Sequence, residues 1–132
     1  MTLAVYIIEN GQRSPAYLER LKKRLQFVKQ NDFIYCKNLS DVNERLKFTS
    51  WYLVLYEGEL PDSRLTLAIL KIVQSGGFGS SVFNFFSRND RKYLICGRLF
   101  KSFVKLQKDV LMTDTPIVTV ATTLVDGWIW ET

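Results

Sequence analysis

Apolar and polar positions along the chain fall into blocks of alternating kind. Residues 3 to 8, "LAVYII", are continuously apolar and rich in β-branched and aromatic side chains, which predicts a buried strand closed by the polar turn "ENGQRS". Ser14 then stands where a helix N-cap belongs and Pro15 suits the first helical position. Leu18, Leu21, Leu25 and Val28 follow at helical spacing, with basic residues mostly opposite. "FIYC" (33–36) predicts a second strand, and "NLSDVNERLKF" a second helix capped by Ser40 with Val42 and Leu46 inward. "WYLVLY" (51–56) is apolar throughout, as a central parallel strand covered on both faces would be. Pro61 and Asp62 open a third helix with Leu65, Ile69, Ile72 and Val73 on its inner stripe, and Gly76 and Gly77 stop it. "SVFNFFS" (81–87) is a fourth strand.

This order of strand and helix implies one α/β domain over residues 1–132. Its architecture is expected to be three-layered, with a mostly parallel five-stranded sheet and right-handed crossovers. After Ser87 the pattern is atypical. "RKYLICGRLF" suits a strand or a helix, "KSFVKLQKDVL" suits a helix, and "TPIVTVATT" suits a strand. A fifth strand could therefore lie near Lys105 or at Pro116–Val120. "VDGWIWE" predicts a tight hairpin at Asp126-Gly127. There is no internal repeat, low-complexity stretch or linker.

Composition changes the picture mainly by exclusion. The 132 residues are 47% hydrophobic and 14% aromatic, enough for a substantial core. No apolar run is long enough to cross a bilayer, and the start lacks a basic n-region, so a cytoplasmic location is expected. The chain has no histidine, which excludes His-based acid–base catalysis, His-dependent nucleophile systems and His-ligated metals. Cys36 and Cys96, each in an apolar setting, read as buried free thiols. The charge of +5 and pI near 9.3 are met by a solvated basic face at "RLKKR" and "RNDRK". Nucleic acid is not an expected partner, although Lys22, Lys23 and Arg24 would carry such binding. "GGFG" (76–79) follows a helix instead of opening one, so it is a stop and not a phosphate loop.

Ligands of a parallel sheet gather at the carboxyl ends of its strands. Glu9 and Asn10 follow the first strand, Glu57 the third and Ser87 the fourth, so these four form the candidate patch. With those residues in place the chain resembles a response-regulator receiver domain over about residues 3–88. "VYIIEN" resembles its first strand with paired acids, and "YLVLYEGELPD" its third strand with the phospho-acceptor and following Leu-Pro. Ser87 resembles the hydroxyl residue that closes its fourth strand. The resemblance implies a flavodoxin-like sheet of order 2-1-3-4-5. Glu57 replaces the acceptor aspartate, Asn10 the second acid, and no residue clearly matches the family's lysine. Taken with these replacements, the resemblance implies a pseudo-receiver: a phosphorylation-independent regulatory and protein-interaction module, not an enzyme, with a vestigial acidic site and no cofactor. Its partner would be another protein or a second copy, with Trp128 and Trp130 as anchor.

A second resemblance is to the nucleotide-sugar-binding (GT-A) half of family-2 glycosyltransferases. "WYLVLYEGELPDSRLTLAIL" looks like the strand, acidic metal motif and helix, and "GRLFKSF" (97–103) resembles a later arginine-bearing strand. It implies Glu57 and Glu59 as ligands of a divalent metal holding a nucleotide-sugar. It also implies a sheet with strands added antiparallel after "VFNFF".

Overall fold

A computed structural model describes residues 3–9, 11–46, 51–61, 63–77, 82–89, 92–101, 123–124 and 129–130. Along the chain these form β1 (Leu3–Ile8), α1 (Pro15–Arg24), a 3-10 turn (Gln30–Asp32), β2 (Phe33–Cys36), α2 (Leu39–Glu44), β3 (Trp51–Tyr56) and β4 (Glu59–Leu60). Next come α3 (Ser63–Ser75), β5 (Val82–Asn89), β6 (Lys92–Lys101), β7 (Thr123–Leu124) and β8 (Ile129–Trp130).

The first half obeys its local signals. Ser14 caps α1, its hydroxyl accepting from the Tyr17 amide, and Pro15 sits at the first helical position. Leu21, Leu25 and Val28 are buried and Leu18 packs against them. In α2 the cap is Asn38, not Ser40: its side chain accepts from the Asp41 amide at 2.9 Å, while Asp41 accepts from the Lys37 amide at 2.9 Å. Two residues of cap chemistry compete there, and Asn38 has an acid three positions on whose carboxylate binds the amide just before the cap. Val42 is buried and Leu46 partly so. The third helix starts at Ser63 and places Ile69, Ile72 and Val73 in the core. Gly76, at φ 81°, takes the left-handed conformation that ends it, and the Gly77 amide returns to the Ile72 carbonyl.

Among the described residues the main sheet runs β2-β1-β3-β6-β5-β7. It is mostly parallel: β1 pairs parallel with β2 and β3, and β5 with β7, whereas β6 runs antiparallel to both neighbours. The fourth strand of the sequence, β5, is therefore not beside β3. Only Asp90 and Arg91 separate Asn89 from Lys92, and these pair across the strands. A connection that short returns the chain antiparallel. β6 then occupies the edge of β3, with Leu53 opposite Leu99 and Val54 opposite Arg98. "KYLICGRLF" is thus a strand. Asp126-Gly127, where a hairpin is expected, lie outside the described residues; of the strands on either side, β7 joins β5 and β8 joins β4 in a separate two-stranded sheet.

Side-chain alternation splits the core in two. Leu3, Val5, Ile7, Trp51, Leu53, Leu55, Phe83 and Leu99 face α1 and α3. Ala4, Tyr6, Ile8, Tyr52, Val54 and Phe100 form the other face with Val42 of α2. Tyr6 meets Tyr52 edge-on at 5.9 Å, and Tyr52 stacks on Phe100 at 5.0 Å. The Tyr6 hydroxyl donates to the Arg45 carbonyl at 3.0 Å, tying the end of α2 to the sheet. Cys36 is a buried free cysteine, and burial first, then the charge of Asp41, pushes its thiol up to about 11. It is inert at neutral pH. No helix among the described residues is long and apolar enough to cross a membrane.

Candidate functional site

Parallel pairing of β1, β2 and β3 brings their carboxyl ends to one rim. Ile8 lies in register with Cys36 on one side and Tyr56 on the other. The backbone continues this alignment past the strands: the Glu9 amide donates to Cys36 and the Glu57 amide to Ile8, both at 2.9 Å. Glu9 and Glu57 therefore share an edge, as expected. Asn10 lies outside the described residues.

Glu57 is 9% exposed, and its carboxylate is committed to the chain around it. One oxygen accepts from the Arg13 amide at 3.2 Å. The other accepts from the Ser14 amide at 2.9 Å and the Tyr35 hydroxyl at 3.3 Å. Arg13 and Ser14 immediately precede the first turn of α1, so the charge also lies against the positive end of that helix. Arg13 is bent to φ 44° to present its amide, a conformation few non-glycine residues adopt. Its guanidinium pairs with the Glu9 carboxylate and lies 5.3 Å from the centre of the Tyr35 ring. Burial, then the charge and hydrogen bond of Glu57, push the Tyr35 hydroxyl up to about 12. It stays a donor at any ordinary pH. Glu9, Arg13, Tyr35 and Glu57 thus form a closed circuit in which each charge is answered within the rim.

Glu59 has a different surrounding. The left-handed Gly58, at φ 105°, turns the chain back after Glu57. Glu59 ends 1% exposed, with one carboxylate oxygen accepting from the Tyr56 amide and the other enclosed without a hydrogen-bond partner. Burial holds its carboxyl well above the usual range, so the protonated form is favoured. Its backbone is anchored from both sides: the carbonyl accepts from the Tyr17 hydroxyl at 2.7 Å, and β8 pairs with it through Trp130.

Metal binding by Glu57 and Glu59 does not fit this arrangement. A cation on Glu57 would have to displace two backbone donors and a phenol, and Glu59 faces the interior. Among the described residues no three His, Cys, Asp or Glu side chains gather as a ligand set. The backbone of Ser87 lies apart from the rim circuit. It pairs with Leu94 on β5, with β6 interposed before β3, which sets it about 10 Å across the sheet from β3 at the usual strand spacing. Trp130 lies in β8 opposite Glu59, and Trp128 falls outside the described residues.

Two residues of the rim, and one buried in the sheet, escape a strand-end reading. Arg13 carries a signal, four positions after Glu9. Tyr35 carries one too, one position before the end of a short strand and packed on the α1 face of the sheet. Arg98 is the third: fully buried in β6, opposite Val54, on the α2 side of the sheet. Burial lowers its guanidinium to about 10, with the Tyr56 hydroxyl opposing the change, so it remains charged at neutral pH.

Comparison with protein families and with curated sequences gives no match. Among solved structures, the crystal structure of HddC from Yersinia pseudotuberculosis is similar in fold, with a TM-score of 0.58 at 11% sequence identity. The similarity covers 98% of this chain and 93% of that one. At such identity the likeness speaks to the fold alone.

Proposed function

We propose that the chain is a nucleotide-sugar-binding domain of the family-2 glycosyltransferase type whose paired acids serve the fold, so that it binds without metal-dependent transfer. One observation carries the reading: β6, with Arg98 buried in it, runs antiparallel along the edge of β3. The transferase resemblance implies an antiparallel, arginine-bearing strand after "VFNFF", whereas the receiver resemblance implies a parallel fourth strand there. The engagement of Glu57 and the burial of Glu59 argue for the second half of the proposal. The ligand would meet the rim at Arg13 and Tyr35, where a cation and a ring lie at the carboxyl ends of parallel strands.

The test is a set of melting curves with UDP- and GDP-sugars, in EDTA and in Mn²⁺. At a hundredfold excess over Kd a ligand adds about 2.7 kcal/mol, a shift of several degrees. The expected result is a shift with at least one nucleotide-sugar that EDTA leaves unchanged and Arg13→Ala removes. Flat curves across the panel overturn binding, and a shift that needs Mn²⁺ overturns the metal-free account.

A second reading keeps one observation of its own. Three donors fix the Glu57 charge in place, as a locked pseudo-receiver with flavodoxin-like layering and a protein partner would require. It expects no phosphoryl transfer from acetyl phosphate with Mg²⁺. A mass gain that disappears in Glu57→Gln would overturn it.

A further inference from the structure

On the helical face of the sheet, away from the rim, α1 and α3 leave an open groove of about 440 Å³ lined by Lys23, Arg24, Thr66, Leu67 and Leu70. We propose that this groove is a docking site for an acidic amphipathic helix of a partner protein. The proposal is independent of what the rim binds.

The apolar wall comes from α3. Ile69, Ile72 and Val73 already satisfy the core, so Leu67 and Leu70 form a second apolar row, three residues apart. Leu67 is 51% exposed. The basic wall comes from α1. Arg24 is held in place by its bond to the Pro61 carbonyl at 2.7 Å, and Lys23 beside it reaches Glu19 at 3.8 Å while remaining largely exposed. Between the walls the Thr66 hydroxyl is enclosed without a hydrogen-bond partner, an incomplete polar contact at the groove floor.

Charge selects the occupant. Lys23 and Arg24 are the charged residues among those lining the groove, none of which is acidic, and Glu19 is the single acid in the sequence of α1 and α3. A second copy of so basic a face would be repelled, and an acidic partner drawn in. Leucines at i and i+3 meet the apolar stripe of a helix laid along the groove, the usual pattern of helix-in-groove recognition. Nucleic acid fits less well. The leucine row offers nothing to a phosphate backbone, and Lys22 is turned aside over the Phe33 ring, 5.8 Å from its centre.

The test uses the full chain and a labelled synthetic helix with leucines at i, i+3 and i+4 flanked by glutamates. Controls are a scrambled peptide of equal composition, a single-stranded oligonucleotide and phosphatidylserine vesicles. The ordered peptide should bind about tenfold or more tighter than the scrambled one. Leu67→Ser and Lys23→Glu should each weaken it about fivefold or more at unchanged melting temperature, since both positions are exposed. The leucine change should act on dissociation and the lysine change on salt dependence. No binding, equal binding of the scrambled peptide, full affinity in Leu67→Ser, or tighter binding of oligonucleotide or vesicles would each overturn the proposal.

Discussion

Glu57 and Glu59 stand two positions apart, and the chain treats them oppositely. Glu57 follows a buried parallel strand, and two amides of the β1–α1 connection donate to its carboxylate, so it is bonded into the chain. Glu57→Gln keeps one acceptor but sets an amide against a donor. It should lower stability by about 1–3 kcal/mol, read as a lower urea midpoint at unchanged slope. Glu59 is turned inward by Gly58, where its charge has no counterpart. Its folded carboxyl binds its proton more tightly than the unfolded one, so stability falls as pH rises above the ordinary glutamate range toward the raised folded value. Glu59→Gln, neutral at every pH, should lose that slope. Its melting temperature should match the parent near pH 4 and exceed it at pH 8, and identical pH profiles would show that the burial carries no cost. Strand-end acids were legible in the sequence as a pair. Their opposite fates were not, because side-chain direction after a left-handed glycine depends on the tertiary path.

At the scale of elements, local signals served best where the chemistry is local. Ser14 and Pro15 place the start of α1, and the apolar spacing places its buried side. The cap of α2 shows the limit of such signals, since Asn38 and Ser40 both qualify and the carboxylate of Asp41, bound to the amide just before the cap, decides. Asn38→Ala should cost about 1 kcal/mol and Ser40→Ala clearly less, measured by thermal or urea unfolding. A larger cost at Ser40 would place the cap there instead. Strand direction was the larger omission. An apolar run such as "YLICGRLF" reports burial, and burial is the same for a parallel and an antiparallel neighbour. The signal lay in "RNDRK", which reads as a charge cluster but separates two strands by a hairpin's length. For that reason Ser87 stands two strands from β3 instead of one.

The molecule as a whole is organised around β3. It is parallel to β1, antiparallel to β6, buried on both faces, and ends at the rim. Leu53, fully buried at its centre, should cost about 2–5 kcal/mol when cut to alanine, with a matching fall in denaturation midpoint; a smaller loss would mean that the core between the sheet and α1 and α3 collapses to fill the space. Because β3 delivers Glu57 to the first turn of α1, the same strand that builds the core also holds the β1–α1 connection. The rim is then a rigid surface whose acids are already engaged. The most direct measurement of this is amide hydrogen exchange at Arg13 and Ser14 in the parent and in Glu57→Ala. Both amides should be protected in the parent and exchange markedly faster in the variant, with core strands β1 and β3 still protected. Equal exchange in the two proteins would mean that Glu57 does not hold the loop and is available for other chemistry.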